Sequence, residues 1–339
     1  MKTRYVFASL TRISDLATNE FQVRKLPRGQ WRHADYVAAT VTGEASSLYR
    51  IELANGRLVE VTEGTQVIGA LGRRAATLEA TGSWEGIGED GLFNELTGAG
   101  LFGKLVSIAP SMPRLMALKY SGHILRGNQQ LNMSDFVIPV ADKPLVTPTI
   151  LLIGTSMSAG KTTTGKIIIH ELKRADLKVV GAKFTGAGRY RDVLSYGDAG
   201  ADIILDFVDA GLPSTVVPER EFDQAMRYMV SRVAAAEADV LVAEAGASPL
   251  EPYNGAAAVR ALEKNVCCTV LCASDPYAVF GVQQAFGFEP DLVTGPTANT
   301  EAGINLVEKL TGLKAINLMR RESLPALRSL LAAKLPRYS

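Results

Sequence analysis

From residue 149 onward, short continuous apolar runs alternate with stretches whose apolar positions recur every three or four residues. The runs have strand length and the periodic stretches have helix length. Strands are predicted at 149–154, 178–184, 214–217, 239–244, 266–272, 291–294 and 314–317. Helices are predicted at 160–174, 198–210, 219–236, 255–263, 276–286, 299–311 and 321–334. Strands apolar at every position fit a sheet covered on both faces. The alternating order then implies an α/β fold with a doubly wound, mostly parallel sheet.

The first 140 residues follow a different rule. Tyr49-Arg50-Ile51-Glu52-Leu53 and Leu58-Val59-Glu60-Val61 alternate around Asn55-Gly56, the pattern of a hairpin. Asp35 to Val41 reads as a strand, and Ile124 to Met133 as a second hairpin about Arg126-Gly127-Asn128. A glycine-studded stretch, Gly64 to Gly103, lies between them. The expected organisation is a smaller β-rich domain over 1–140, a barrel or sandwich with short helical inserts. A proline-bearing linker over 141–148 and an α/β domain over 149–339 follow.

Composition adds bounds. Hydrophobic residues make up 47% and charged residues 21% of 339, an ordinary globular balance. The net charge of +1 supplies no broad field for nucleic acid or an anionic membrane. No apolar run approaches the ~20 residues that span a bilayer, and Met1 to Leu10 is too short an apolar stretch for a signal peptide. A cytoplasmic protein without nucleic-acid or membrane partners is expected, and a homo-oligomer. Cys267, Cys268 and Cys272 share one apolar run with no histidine near, so they read as free thiols.

The chemistry begins at Thr149-Ile-Leu-Leu-Ile-Gly-Thr-Ser-Met-Ser-Ala-Gly-Lys-Thr-Thr-Thr164. A strand-length run stops at Gly154, a small-residue loop follows, and Gly160-Lys161-Thr162 opens a helical pattern. That is the layout of a phosphate-binding P-loop. Gly154, Thr155, Ser158, Ala159, Gly160, Lys161, Thr162 and Thr163 are the expected nucleotide contacts. Lys161 would reach the β- and γ-phosphates of ATP, and the Thr162 hydroxyl would hold Mg²⁺. Five residues separate the glycines instead of four, and Thr155 follows the first of them. This loop resembles that of dethiobiotin synthetase. The partition and septum-site ATPases of the same class carry an early lysine where Ser156 stands. Its absence points away from a nucleotide-sandwich switch and towards small-molecule chemistry.

Two further segments follow strands. Lys183 precedes Thr185-Gly186-Ala187-Gly188-Arg189-Tyr190-Arg191. Lys183 matches a strand-end lysine of dethiobiotin synthetase. Arg189 and Arg191 suit a carboxylate or phosphate of a small anionic substrate, or form a solvated basic loop. Glu244 ends an apolar run and opens Ala245-Gly246-Ala247-Ser248. An acid there fits a Mg²⁺-linked carboxylate. The stretch resembles Glu-Gly-Ala-Gly-Gly of dethiobiotin synthetase, whose glutamate is a metal ligand, and Ser248 then faces the substrate. A second metal-linked acid is sought among Asp198, Asp202 and Asp206, which share one face if 198–210 is a helix. Asp198 and Asp202 are favoured as nearer the helix start. Asn299 would read the nucleotide base or cap a helix.

Residues 149–317 also resemble the C-terminal half of the D-glutamate N-acetyltransferase-like family, on Thr185-Gly186, Asp206-Phe207-Val208 and Glu244 with Pro252-Tyr253-Asn254-Gly255. The expectation is an ATP- and Mg²⁺-dependent enzyme that activates a small carboxylate or similar oxyanion, with Lys161, Lys183 and Glu244 catalytic and ligation to an amine as the outcome. The alternatives are an N-acyltransferase holding acyl-CoA in the same loop, or a nucleotide-binding switch or metallochaperone.

Overall fold

The computed structural model describes residues 3–43, 50–246, 248–287 and 289–338. Met1, Tyr49 and Ala247, named above, lie outside them. The chain divides into two compact units. One comprises 1–139 with 187–191 and 207–218; the other comprises 140–186, 192–206 and 219–339.

The first unit is built of β1 (Tyr5–Phe7), β2 (Gln22–Arg24), β3 (Tyr36–Thr42), β4 (Arg50–Glu52), β5 (Leu58–Glu60) and β6 (Gln66–Leu71). It continues through β7 (Arg73–Ala75), β8 (Ala80–Ser83), β9 (Leu92–Thr97), β10 (Leu101–Ile108), β11 (Ala117–Arg126) and β12 (Gln129–Gln130). The order β6-β3-β11-β9-β10 closes on itself because β10 also pairs with β6, which makes a five-stranded barrel. Val37, Val41, Val67, Phe93, Phe102 and Leu118 form its core. β4 and β5 form a separate hairpin about Asn55-Gly56, where Gly56 has φ +81°. β11 and β12 turn at Gly127-Asn128.

The second unit holds β13 (Thr149–Gly154), α1 (Lys161–Arg174), β14 (Val179–Thr185), α2 (Tyr190–Asp198, from Asp192 on), β15 (Ile203–Asp206) and α3 (Glu219–Ala235). After these come β16 (Val240–Ala245), α4 (Gly255–Leu262), β17 (Val266–Cys272), α5 (Pro276–Phe286), β18 (Leu292–Thr294), α6 (Glu301–Thr311) and α7 (Leu324–Lys334). The sheet order is β15-β14-β16-β13-β17-β18, all parallel. Every residue of β13, β14 and β16 is buried, as helices on both faces require. This is the doubly wound α/β class expected, with β13 flanked by β16 and β17 at its centre.

Three expected elements differ. Residues 198–210 are not one helix: α2 ends at Asp198 and β15 follows. Residues 214–217 make a single bridge, Ser214 to Ala187, because Pro213 and Pro218 bracket them and proline cannot donate to a ladder. Residues 314–317 make one parallel bridge, Ala315 to Val293. The expected linker is bound to the second unit: Ser231 Oγ donates to Asp142 Oδ1 at 3.2 Å, and Asn265 Nδ2 to the Leu145 carbonyl at 3.0 Å. Among the described residues no helix is long and apolar enough to cross a membrane.

The three cysteines are free and lie on β17, Cys267 half-buried and the other two buried. Burial pushes the Cys268 thiol up to about 12 and the Cys272 thiol up to about 11. Both stay protonated at pH 8, so iodoacetamide is expected to leave them unmodified until denaturant is added. Fast modification of either in the native protein would contradict the burial. An acid whose folded value is raised keeps its contribution below the unfolded value and loses it above. Stability should therefore fall as pH rises from the ordinary thiol value, 9.0, through 11 to 12.

Candidate functional site

β13 ends at Gly154, and the chain loops to Gly160, whose φ of +93° suits glycine, before α1 begins at Lys161. The Lys161 side chain folds back over the loop. Its Nζ donates to the Ser156 carbonyl at 2.6 Å, and the residue is 2% exposed. Gly154 makes room for it: a Cβ there would stand 2.5 Å from Lys161 Nζ. Burial pulls the Lys161 ammonium below the ordinary lysine value, with nearby Glu244 acting in the opposite direction. The loop is held at its start by the Thr155 N–H, which donates to the Cys272 carbonyl at 3.1 Å. The Thr155 hydroxyl accepts from the Ser274 N–H at 3.1 Å. Ala159 is buried, while Ser158 and Thr163 are exposed.

β16 lies between β13 and β14, and its register sets Glu244 beside both Leu152 and Lys183. Three side chains converge on the Glu244 carboxylate, which is 2% exposed. Thr162 Oγ1 donates to Oε2 at 3.0 Å, and the Tyr196 hydroxyl donates to the same oxygen at 2.5 Å. Lys183 Nζ lies 3.8 Å from Oε1 and pairs closely with Asp192. Burial, and then the Glu244 charge, raise the Tyr196 phenol well above its ordinary value, so it remains a donor. The loop beyond Glu244 is tied down by Thr185 Oγ1, which donates to the Gly246 carbonyl at 2.8 Å.

Lys161, Thr162, Lys183 and Glu244 thus come together, each from a different segment of the chain except the first two. The two aspartates expected as metal ligands do not join them. Asp202 pairs with Lys173 at 2.8 Å and accepts from the Val179 N–H at 2.7 Å, at the amino end of β14, across the sheet from the loop. Asp198 ends α2 at the same side and is exposed. The reason is the direction of the chain: a helix returning from β14 to a parallel β15 delivers its last residues to the strands' amino ends. The acid that reaches the carboxyl ends is Asp206, buried at the close of β15 and in register with Lys183. Among the described residues no three His, Cys, Asp or Glu side chains stand together as a metal site.

The remaining expected residues are placed as follows. Arg191 Nε lies 3.3 Å from the buried Glu52 carboxylate, within the first unit, so its charge is already engaged. Glu52 also accepts from the Tyr190 N–H at 2.6 Å and the Ser9 hydroxyl at 2.5 Å. Arg189 is exposed. The Ser248 N–H donates to Glu251 at 2.7 Å, and its hydroxyl accepts from the Leu250 N–H at 3.2 Å in a tight turn. Asn299 is exposed and is not the helix cap, because Thr300 Oγ1 accepts from the Gly303 N–H and caps α6. The loop that bears Asn299 does approach the phosphate loop: a Cβ on Gly295 would stand 2.5 Å from the Ala159 carbonyl.

Tyr196 was not legible as a site residue. Its ring crosses α1 at Gly165, where a Cβ would stand 2.8 Å from the phenol oxygen. The small residue that admits it is thus far away in sequence.

Strand, loop, helix-start lysine and strand-end carboxylate define the P-loop class of nucleotide-binding folds. No family model matches the chain, and no curated protein matches it. Among solved structures, the chain is similar to a DUF1611 family protein from Anabaena variabilis. The identity is 17% over 57% of this chain and 61% of that one, with a TM-score of 0.37. It is similar to the signal recognition particle 54 kDa protein from Aeropyrum pernix in complex with GDP, at 15% identity over 59% of this chain and 53% of that one, TM-score 0.38. It is also similar to a ParA family ATPase from Chlorobium tepidum, at 12% identity over 56% of this chain and 91% of that one, TM-score 0.32. The chain spans about three fifths of the first of these structures and about half of the second.

Proposed function

We propose that the chain is an ATP- and Mg²⁺-dependent enzyme that phosphorylates a small oxyanion, a carboxylate or a carbamate, and so activates it for attack by an amine. The observation that carries this reading is the Glu244 carboxylate, buried and 3.0 Å from Thr162 Oγ1 at the first turn of α1. Both are hard oxygen donors, the type Mg²⁺ takes, and Mg²⁺ fills its remaining positions with phosphate and water oxygens. The donor set therefore fits the ion, which when bound would neutralise charge on the transferring phosphoryl oxygens.

Lys161 would exchange the Ser156 carbonyl for a phosphate oxygen, a better partner for a buried ammonium. Lys183, flanked by Asp192 and Glu244, would meet charge that builds on the transferring group. The acceptor would lie beyond Glu244, near Gly246 and Ser248. Tyr196 acts as a positioning residue: it holds one Glu244 oxygen so that the carboxylate keeps its place beside Thr162.

The test is ADP release with Mg²⁺ against a panel of amino and carboxylic acids and bicarbonate-loaded amines. Stimulation by at least one small acid is the expected result. Free CoA released from an acyl-CoA, with no ADP formed, would replace this reading with acyl transfer. Stimulation by a purified protein alone would replace it with a nucleotide switch.

A further inference from the structure

The outer face of α1 carries a feature that the nucleotide chemistry leaves unused. A cavity of about 450 Å³ opens between α1, the end of α2 and the segment 318–324. All three belong to the second unit. Lys166 stands on one wall, and Arg320 and Arg321 stand on another. The side chains of these three cations have no hydrogen bond or ion pair among the described residues. Ile167, Leu318 and Leu324 supply apolar surface; two carboxylates also line it, Asp198, which supplies an acceptor, and Glu171, which is paired with Arg328.

Two neighbouring cavities, of about 410 and 430 Å³, continue along α1 and α7. There Arg174 and Arg328 have a carboxylate partner. Arg328 lies 2.5 Å and Arg174 3.8 Å from the buried Glu171 carboxylate, so the two guanidinium groups share one carboxylate. Arg321 lines the cavity of about 410 Å³ as well as the first, so the cations without a partner among the described residues gather at the first cavity and where the two meet. The volume of the first cavity is within the range of small-molecule pockets and far below what a nucleic-acid duplex needs. Lys166, Arg320 and Arg321 outnumber Asp198, so the field in this pocket is positive although the chain's net charge is only +1.

We infer that this cavity is a second binding site, for a small organic anion with two or more phosphate or carboxylate groups on a hydroxylated carbon body. Lys166 and the two arginines take the anionic groups. Asp198 accepts a hydroxyl, and Ile167, Leu318 and Leu324 cover the carbon atoms. Lys166 shares α1 with Lys161, so an occupant would be joined to the phosphate loop by one rigid helix.

Calorimetry with citrate and with inorganic pyrophosphate tests the site. Pyrophosphate also suits the phosphate loop, so both titrations use the Lys161→Ala protein beside the wild type. At least one anion is expected to bind the Lys161→Ala protein with a dissociation constant of about 1 mM or tighter. Added to Lys161→Ala, the double variant Arg320→Ala/Arg321→Ala should weaken that binding tenfold or more, with the circular dichroism unchanged. Binding of citrate alone would mark a carboxylate ligand, and of pyrophosphate alone a phosphate ligand. Absence of binding by both anions, or a loss below tenfold in the double variant, would overturn the assignment. The outcome does not depend on whether the phosphate loop takes ATP.

Discussion

Lys161→Ala is expected to weaken Mg²⁺·ATP binding by about a hundredfold while the protein stays folded. Losing a charged hydrogen bond costs roughly 1.5–3 kcal/mol, and a loop lysine that meets two phosphates sits at the upper end of that range. The folded chain has little to lose. Lys161 is 2% exposed and, among the described residues, its ammonium donates to the Ser156 carbonyl at 2.6 Å, so the substitution removes a desolvated charge along with that hydrogen bond. The melting temperature should therefore move by only a few degrees. Calorimetry with ATP and Mg²⁺ on both proteins, with a thermal melt of each, is the measurement. Equal affinities would show that the loop is not the nucleotide site.

Why this loop could be read from the chain is a matter of range. Gly154, Gly160 and Lys161 act through local geometry: a strand that stops, a left-handed turn and a helix that starts. The hairpin at Asn55-Gly56 is legible for the same reason, since Gly56 takes the left-handed φ of +81° that its short loop requires. Glu244 is legible because four apolar residues lead to an acid, and burial of a charge at a strand end needs a partner.

The error at 198–210 shows where local reading fails and where it need not have. Asp198, Asp202 and Asp206 repeat at helical spacing, and that period concealed two competing signals. Gly200 has φ +100° and ends α2, with the Ala201 N–H donating back to the Tyr196 carbonyl at 3.0 Å, the closing bond of a glycine-terminated helix. Ile203-Ile204-Leu205 then leads to Asp206 as apolar residues lead to Glu244. The same rule applied twice would have selected Asp206 over Asp202. Tyr196 is a different case. Its contact with Glu244 spans 48 positions and depends on where α2 packs, which no short window contains. The engagement of Arg191 by Glu52 is likewise long-range, 139 positions apart by the backbone hydrogen bond that accompanies it.

Glu244→Gln separates the chemical role of the carboxylate from its structural one. The amide keeps the shape of the side chain and can still accept from Thr162 and Tyr196, the two donors that now meet at Oε2. Alanine would leave the Tyr196 hydroxyl buried without its acceptor, and any loss would then mix unfolding with catalysis. What glutamine removes is the negative charge that balances Lys183 and that would hold Mg²⁺. Lys183 keeps Asp192, so the lysine is not left unpaired. Nucleotide affinity should change by less than about tenfold, because the phosphate contacts come mainly from the loop and Lys161. Mg²⁺-dependent turnover should fall by about a hundredfold or more, the scale of losing one electrostatic contact that is strongest in the transition state. Steady-state ADP release across a Mg²⁺ titration, with ATP binding measured on the same preparation, makes the comparison. Near-wild-type turnover would leave Glu244 as an anchor for Thr162 and Tyr196, and the metal-linked role would pass to another buried acid on this side of the sheet, Asp206 at the end of β15 or Glu251 in the loop after β16.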